Sequence, residues 1–387
     1  MFAWRFLRTR VPLVRWGRTR SRKAAGMCQV GGVRGCSTAM ERPSWELPQA
    51  AAMRVYYSDV YKVSLPAGHR FPMQKYLLVR QALESRAAMR DVVFTVSPFA
   101  TVEDLALVHD REYIRRFLQG QLSEKENRRI GFPWSLAGVQ RATASNGGTV
   151  AATHDVLRKR CRFAGQLAGG THHAFPDHGE GYCVFCDIAV ATRVALRDYG
   201  HVRRVLIIDL DVHQGNGTAA IFANDDRVFT CSFHGHGNYP FVKQKSDLDV
   251  EFEDGTEDAE YLEKLEFWLP ALFSRVRPQL VFFQAGVDAL RDDRLGRLNL
   301  SAEGLRARNR MVFDAVLNSS DAGCVICMGG GYSDPIDKTV ASHAHVYLDA
   351  KAALSKHYAG QTAAAAARTF SAGEVPRVVP RERGYYS

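Results

Sequence analysis

From about Met53 to Leu354 the chain alternates short apolar, β-rich runs with longer stretches in which apolar positions recur at helical spacing. Val205–Asp209, Val228–Phe233, Leu280–Gln284 and Cys324–Met328 are almost wholly apolar, the pattern of strands covered by helices on both sides. Between them lie helix-period stretches over Met73–Ser85, Val102–Leu118, Ser135–Leu157, Asp187–Arg197, Ala259–Arg275 and Ser301–Leu317, several opening on an Asp or Ser suited to cap a helix. This alternation predicts an α/β fold, a mostly parallel central sheet with helices on both faces, in one domain over residues 53–356. Residues 41–52 read as a linker. Residues 357–387, with an Ala run and scattered Pro and Arg, read as a loosely ordered tail.

Composition changes this picture in one place. The chain has 387 residues, 46% of them hydrophobic and 24% charged, enough to build a large core, and no apolar stretch approaches the ~20 residues that a membrane helix requires. The net charge of +10 would suggest a polyanion or membrane-surface partner if it were spread over the fold. It is not spread. Residues 1–40 hold Arg5, Arg8, Arg10, Arg15, Arg18, Arg20, Arg22, Arg34 and Lys23 with no acid, which leaves 42 basic against 41 acidic residues in the remainder. The folded part therefore has no bulk reason to bind nucleic acid or membrane. An Arg-rich, acid-free segment interrupted by Phe2, Trp4, Phe6, Leu7, Val14 and Trp16 has the composition of an organellar transit peptide, so a mitochondrion or chloroplast is expected, with nucleus or cytoplasm as the alternative.

Two CxxC pairs, Cys183/Cys186 and Cys324/Cys327, have the spacing of a zinc clasp. The second lies in a strand, where residues three apart point to opposite faces and cannot share a metal. The first precedes the helix starting at Asp187, so all four are expected to be buried small hydrophobes.

The polar residues that interrupt the apolar pattern fall where strands end, which is where open α/β sheets bind ligands. Asp209-Leu210-Asp211-Val212-His213, Ala285-Gly286-Val287-Asp288 and Gly329-Gly330-Gly331-Tyr332 each follow a strand, and Gly169-Gly170-Thr171-His172-His173 follows the Ala/Gly-rich stretch from Phe163. Asp211 and His213, two apart at a strand end, leave on the same side and can ligate one metal with Asp288 as the third ligand. Three protein ligands leave a position open, as in catalytic zinc sites; iron suits the same donors. Two carboxylates nearly neutralise a dication, so such a site needs a separate base. His172 and His173 can supply it, one held by Asp209 and the other by the neutral Asn216. Tyr332 can donate its hydroxyl to a developing oxyanion, and the whole describes metal-assisted amide hydrolysis. His234, His236, His343 and His345 are read as non-ligands.

This ordered set resembles the zinc-dependent histone deacetylase family over about Val55 to Leu354. His69-Arg70-Phe71-Pro72-Met73, Gly169 to Pro176 and Asp292-Asp293-Arg294-Leu295-Gly296-Arg297-Leu298 look like its class IV branch and bacterial and plant relatives. The resemblance implies the single-domain arginase-deacetylase fold, with zinc on Asp211, His213 and Asp288. It implies His173 as general base and then acid, His172 as an electrostatic partner held by Asp209, Asn216 behind His173, and Tyr332 as oxyanion donor. It further implies potassium at Asp209, Asp211, His213, Ser232 and Phe233. Gly181-Tyr182 and Tyr239 would wall the acyl-lysine channel, with Arg70 and the Phe71-Pro72-Met73 segment at a floor able to yield to acyl chains longer than acetyl. Proteins carrying acyl-lysine, histone or not, are then the expected substrates, and the oligomeric state is left open. Two rivals stay open: a small-molecule acetylamine or acetylpolyamine amidohydrolase, and a catalytically idle acyl-lysine binding protein.

Overall fold

The computed structural model describes residues 52–371; the transit-peptide-like segment, most of the expected linker and residues 372–387 lie outside them. Eight strands form one sheet: β1 Met53–Tyr57, β2 Val93–Val96, β3 Phe163–Gln166, β4 Val205–Asp209, β5 Val228–Gly235, β6 Leu248–Phe252, β7 Leu280–Gln284 and β8 Gly323–Cys327. Their order is β2-β1-β3-β8-β7-β4-β5-β6, and every pair is parallel. This is the α/β arrangement expected, with β1, β2, β3 and β6 added. β1, β2 and β6 lack an unbroken apolar run because they lie at or next to the sheet margins, β2 having no buried residue, whereas β3 is buried throughout but only four residues long, Phe163-Ala164-Gly165-Gln166.

Alternation along the central strands divides the core in two. Leu206, Ile208, Val281, Phe283, Cys324 and Ile326 pack on one face with the helices Lys75–Glu84, Asp258–Val276, Ala302–Asn318 and Asp337–Ser371. Val205, Ile207, Leu280, Phe282, Val325 and Cys327 pack on the other with Arg111–Leu118, Leu136–Leu157 and Asp187–Asp198. Buried Tyr261, Leu265, Leu269, Leu272 and Val276 trace one helical face, and Ser135 and Ser301 cap their helices by accepting from the amides of Gly138 and Gly304. Cys324 and Cys327 thus face opposite layers.

Two expectations are corrected. The helix expected over Val102–Leu118 is two, Val102–Leu105 and Arg111–Leu118. Buried His109 interrupts it: its Nδ1 donates to the Phe175 carbonyl at 2.9 Å, its Nε2 accepts from the Cys186 amide at 2.9 Å, and the Asp110 amide donates to the Pro176 carbonyl at 2.8 Å. Tertiary partners here replace the next helical turn. The last helix runs to Ser371, past the expected domain end at 356. Among the described residues no helix is long and apolar enough to cross a membrane.

Candidate active site

Four adjacent strands, β3, β8, β7 and β4, deliver their carboxyl-end loops to one place. Asp187 holds the His172-His173 loop, accepting from the amides of Gly170 and Thr171 at 3.1 and 2.8 Å and from the Thr171 hydroxyl at 2.7 Å. Arg308 is fully buried and donates to the carbonyls of Leu210 and Gly286 at 3.0 and 2.7 Å, tying the loops after β4 and β7 together. A charged residue inside a helix carries no sequence sign of this role.

Asp211, His213 and Asp288 meet with ligand atoms all within 4.8 Å of one another, and among the described residues no other His, Cys, Asp or Glu cluster does so. His213 Nδ1 lies 3.0 Å from an oxygen of each carboxylate. One ring proton cannot serve both fully. Burial alone would lower the His213 imidazole, but Asp211 and Asp288 outweigh it and push it up to about 10, while burial beside Asp211 lifts Asp288 to about 7. Both shifts express a shortage of positive charge in a buried site, which a divalent cation on these three residues would relieve. The carboxylates are held from behind: the Gly330 amide donates to Asp211 at 2.7 Å and the Val212 amide to Asp288 at 3.0 Å. A Cβ at Gly330 would collide with Asp288, so the triple glycine is a steric requirement of the site.

His172 and His173 pack with ring centroids 4.0 Å apart yet differ in environment. His172 Nδ1 is 2.7 Å from Asp209 Oδ2; burial opposes its charge, but Asp209 and Asp211 raise it to about 8. For His173, burial together with His172 and His213 holds the pKa well below the ordinary value, so the ring is neutral with one proton. Its Nδ1 is 2.7 Å from Asn216 Oδ1, and the Asn216 Nδ2 donates to Glu180 Oε1 at 2.7 Å. Glu180 Oε2 in turn accepts from Arg129 Nε and Nη2 at 2.9 and 2.7 Å. A carboxylate only accepts, so Asn216 must present its NH₂ to Glu180 and its oxygen to His173. His173 then carries its proton on Nδ1 and turns an unprotonated Nε2 to the cavity. Glu180, set between two glycines, carries no periodic or motif signal.

Tyr332 lines the same cavity as His172, His173, Asp211 and His213. Its amide donates to Asp293 at 2.6 Å, and burial, with Asp288 and Asp211 nearby, pushes its phenol well above the ordinary value, keeping it a donor. Lys75, also unforeseen, is buried beneath it with Nζ 3.3 Å from the carbonyls of Gly329 and Gly331 and 4.8 Å from the Tyr332 ring centroid. Gly181, Tyr182 and Tyr239 line a mouth of about 560 Å³ that leads to His173 and His213. Tyr239 packs edge-on to His173 at 5.0 Å, and Tyr182 packs on Phe71 and Tyr332 at 5.0 and 6.2 Å. Gly181 has φ +56°, and a Cβ there would stand 2.7 Å from the His173 ring.

The expected floor needs correction. Arg70 lies at the mouth, because Phe71 takes the inward position between Tyr182, Phe132 and Tyr332. Phe71 and Tyr76 line the inner cavity and Met73 does not. That cavity is about 40 Å³, and Phe71, Tyr76 and Arg141 stand between it and an outer groove of about 760 Å³ that they also line. Asp209 and Ser232 sit side by side in the β4–β5 register, with Phe233 next, Asp211 and His213 just beyond β4, and Ser232 Oγ 3.0 Å from His234 Nδ1. His234 and His343 are buried, and His236 and His345 likewise stand outside the Asp211–His213–Asp288 group. The four motif cysteines are buried without a shared ligand position.

A family model described as histone deacetylase domain matches residues 69–347. The chain belongs to the histone deacetylase family. It is 41% identical over 298 residues to an uncharacterized protein of Picosynechococcus, covering 77% of this chain and 97% of that one. It is 34% identical to a histone deacetylase-like amidohydrolase of Pseudomonas aeruginosa, covering 67% and 70%. With histone deacetylase 2 of Arabidopsis thaliana it shares 29% identity over 74% and 76% of the two chains. In fold it is similar to the crystal structure of the HDA15 HD domain, with a TM-score of 0.63 over 84% of this chain and 100% of that one at 19% identity. The arginase-deacetylase architecture of the histone deacetylases is therefore the fold of this chain, and deacetylase or amidohydrolase chemistry is what its relatives support.

Proposed function

We propose that the protein is a zinc-dependent lysine deacetylase, hydrolysing the amide of Nε-acetyl-lysine in proteins to acetate and free lysine. The observation that carries this is the union, in one cavity, of a neutral histidine with its Nε2 unprotonated, a protonated tyrosine, and Asp211 and His213 of the buried Asp211–His213–Asp288 group. A zinc ion there would polarise the amide carbonyl and acidify the attacking water. His173 Nε2 takes the proton of that water and returns it to the lysine nitrogen as the C–N bond breaks. His172, held charged by Asp209, stabilises negative charge beside it, and Tyr332 donates to the oxyanion. A monovalent cation, potassium by resemblance, would be held by Asp209, Asp211, His213, Ser232 and Phe233. The small inner cavity suits an acetyl group.

The test is turnover of an acetyl-lysine peptide by purified, zinc-loaded protein. Hydrolysis of acetylated polyamines alone would replace this reading with a small-molecule amidohydrolase, and acetyl-lysine binding without turnover of either would leave an acyl-lysine binding protein. For location, we propose an organelle on the composition of residues 1–40; nuclear or cytosolic fluorescence of a fusion carrying residues 1–50 would overturn it.

A further inference from the structure

The mouth of the channel is lined by Arg70, Arg128, Arg129, Arg294 and Arg297, and among the described residues no Asp or Glu lines it. These five come from three separate segments, in a chain whose residues 41–387 hold 42 basic and 41 acidic side chains. Bulk basicity does not explain the cluster. Arg70 is turned outward by its neighbours: His69 Nε2 donates to the Gly131 carbonyl at 2.9 Å, His69 Nδ1 accepts from the Phe71 amide at 3.1 Å, and Phe71 is buried. Among the described residues Arg70 has no ion pair. Arg128, Arg294 and Arg297 pair with Glu124, Asp334 and Asp254 at 3.1, 3.3 and 3.1 Å, but those acids stand outside the mouth and the pairs are exposed. Exposed pairs hold weakly, so these guanidinium groups are free to turn to an arriving anion. Arg129 alone is engaged by a buried partner, Glu180.

We propose that this mouth selects acyl-amine substrates carrying a carboxylate close to the amine stem, and that it rejects acyl-lysine set among lysines and arginines, as in basic histone tails. The inference rests on the deacetylase reading and narrows its substrate. A guanidinium fork matches a carboxylate in two parallel hydrogen bonds, and a ring of like charge at a narrow mouth steers anions inward and repels cations. The carboxylate can belong to Asp or Glu beside the acyl-lysine in a protein, or to the far end of a small acylated amine.

The experiment uses three fluorescent acetyl-lysine peptides alike except for acidic, neutral or basic flanks, measured for anisotropy-detected binding and for turnover by the same zinc-loaded protein. The acidic peptide should bind about tenfold tighter than the basic one at ~50 mM salt and lose most of that advantage at ~300 mM, where screening is stronger. Arg294→Gln with Arg297→Gln should bring the acidic-to-neutral ratio toward one, and Arg294→Lys with Arg297→Lys should keep it well above one. The small-molecule arm compares 5-acetamidopentanoate with acetylputrescine, equal in chain length and opposite in end charge, and turnover of the acid or of the acidic peptide identifies the source. Equal or reversed preference in binding overturns the proposal even if all three peptides are hydrolysed, an outcome that leaves the deacetylase reading standing. Acid-selective binding without turnover of any substrate would instead sink that reading and uphold this one.

Discussion

Replacing Glu180 by glutamine separates two functions that a carboxylate behind Asn216 could serve. In the native site Glu180 accepts from Asn216 at 2.7 Å and so fixes the amide with its oxygen on His173 Nδ1, also at 2.7 Å. The other tautomer leaves one buried polar contact unmade whichever way the amide lies: to Asn216 if it stays, to Glu180 if it turns over. The productive tautomer, with Nε2 unprotonated, is thus favoured by about 1–3 kcal/mol, or at least ~5-fold. Burial alone would raise the Glu180 carboxyl, but Asn216, Tyr239 and Arg129 hold it below its ordinary value, so it is ionised at neutral pH. The sign follows: the constraint is complete above the ordinary carboxyl pKa and is lost as pH falls through the lower folded value.

In Glu180→Gln the new carboxamide can present either its NH₂ or its oxygen to Asn216, so the preference falls to within about 1 kcal/mol and a large share of His173 adopts the wrong tautomer. We expect kcat to fall about two- to sixfold; Glu180 also bonds to Tyr239 of the channel wall, so KM is free to change and the tautomer signature carries the test. The assay pairs steady-state kinetics with ¹⁵N chemical shifts of His173 in the metal-free protein, which distinguish Nδ1–H from Nε2–H directly. Arg129→Met is the control: the Arg129 side chain is half exposed, so losing it should leave the Nδ1–H signature of His173 in place. Unchanged kcat and an unchanged Nδ1–H signature in Glu180→Gln would refute the reasoning.

Other outcomes follow from the same geometry. Asp288→Ala should abolish stoichiometric zinc, read by metal analysis, while the circular dichroism of the fold persists; full zinc and activity would remove the ligand assignment. Tyr332→Phe should lower kcat by ~10²–10³ with little change in KM, the usual worth of an oxyanion donor. The inner cavity of about 40 Å³ shares Phe71, Tyr76, Arg141 and Tyr332 with an outer groove of about 760 Å³, so Phe71→Ala should narrow the acetyl-over-octanoyl ratio in kcat/KM by about tenfold, at a stability cost of ~3 kcal/mol or more. His109 is buried neutral with its pKa lowered to about 4, so protonation favours the unfolded chain: its share of stability is complete above pH ~6.5 and lost as pH falls to ~4, up to ~3 kcal/mol in urea midpoints. His109→Gln should flatten that slope.

The parts of the site legible in the sequence are those whose chemistry is concentrated at strand ends. Asp211, His213, Asp288, His172, His173 and Tyr332 all interrupt apolar runs at β4, β7, β3 and β8, and the sheet order makes those four strands neighbours. Parallel strands buried on both faces are legible as apolar runs, and so is the edge to which they deliver polar residues. What stays hidden is whatever acts through distance in the chain. Arg308 and Lys75 lie in helices whose patterns read as ordinary amphipathic faces, yet both are buried and hold backbone carbonyls of the metal loops. The break at His109 depends on carbonyls more than sixty residues away. Arg70 reads as part of the floor because its neighbours Phe71 and Met73 are apolar, whereas buried Phe71 turns Arg70 outward to the mouth.

The two adjacent histidines show how little need change for one loop to yield two different groups. Each is buried and each gives its Nδ1 to an oxygen 2.7 Å away, but for His172 that oxygen belongs to a carboxylate and for His173 to an amide. The carboxylate raises His172 to about 8 and keeps it a cation at neutral pH; the amide cannot offset burial, and His173 stays neutral. A second carboxylate touching His173 would have made it a cation as well, and a cation cannot take a proton from water. By standing one amide further back, Glu180 supplies the orientation that a carboxylate gives while the neutral Asn216 withholds most of its charge. Asn216→Asp is then expected to raise the His173 pKa, lifting the acid limb of the pH–rate profile toward neutrality, even though it restores a more familiar His–Asp contact and enlarges the negative charge near Glu180.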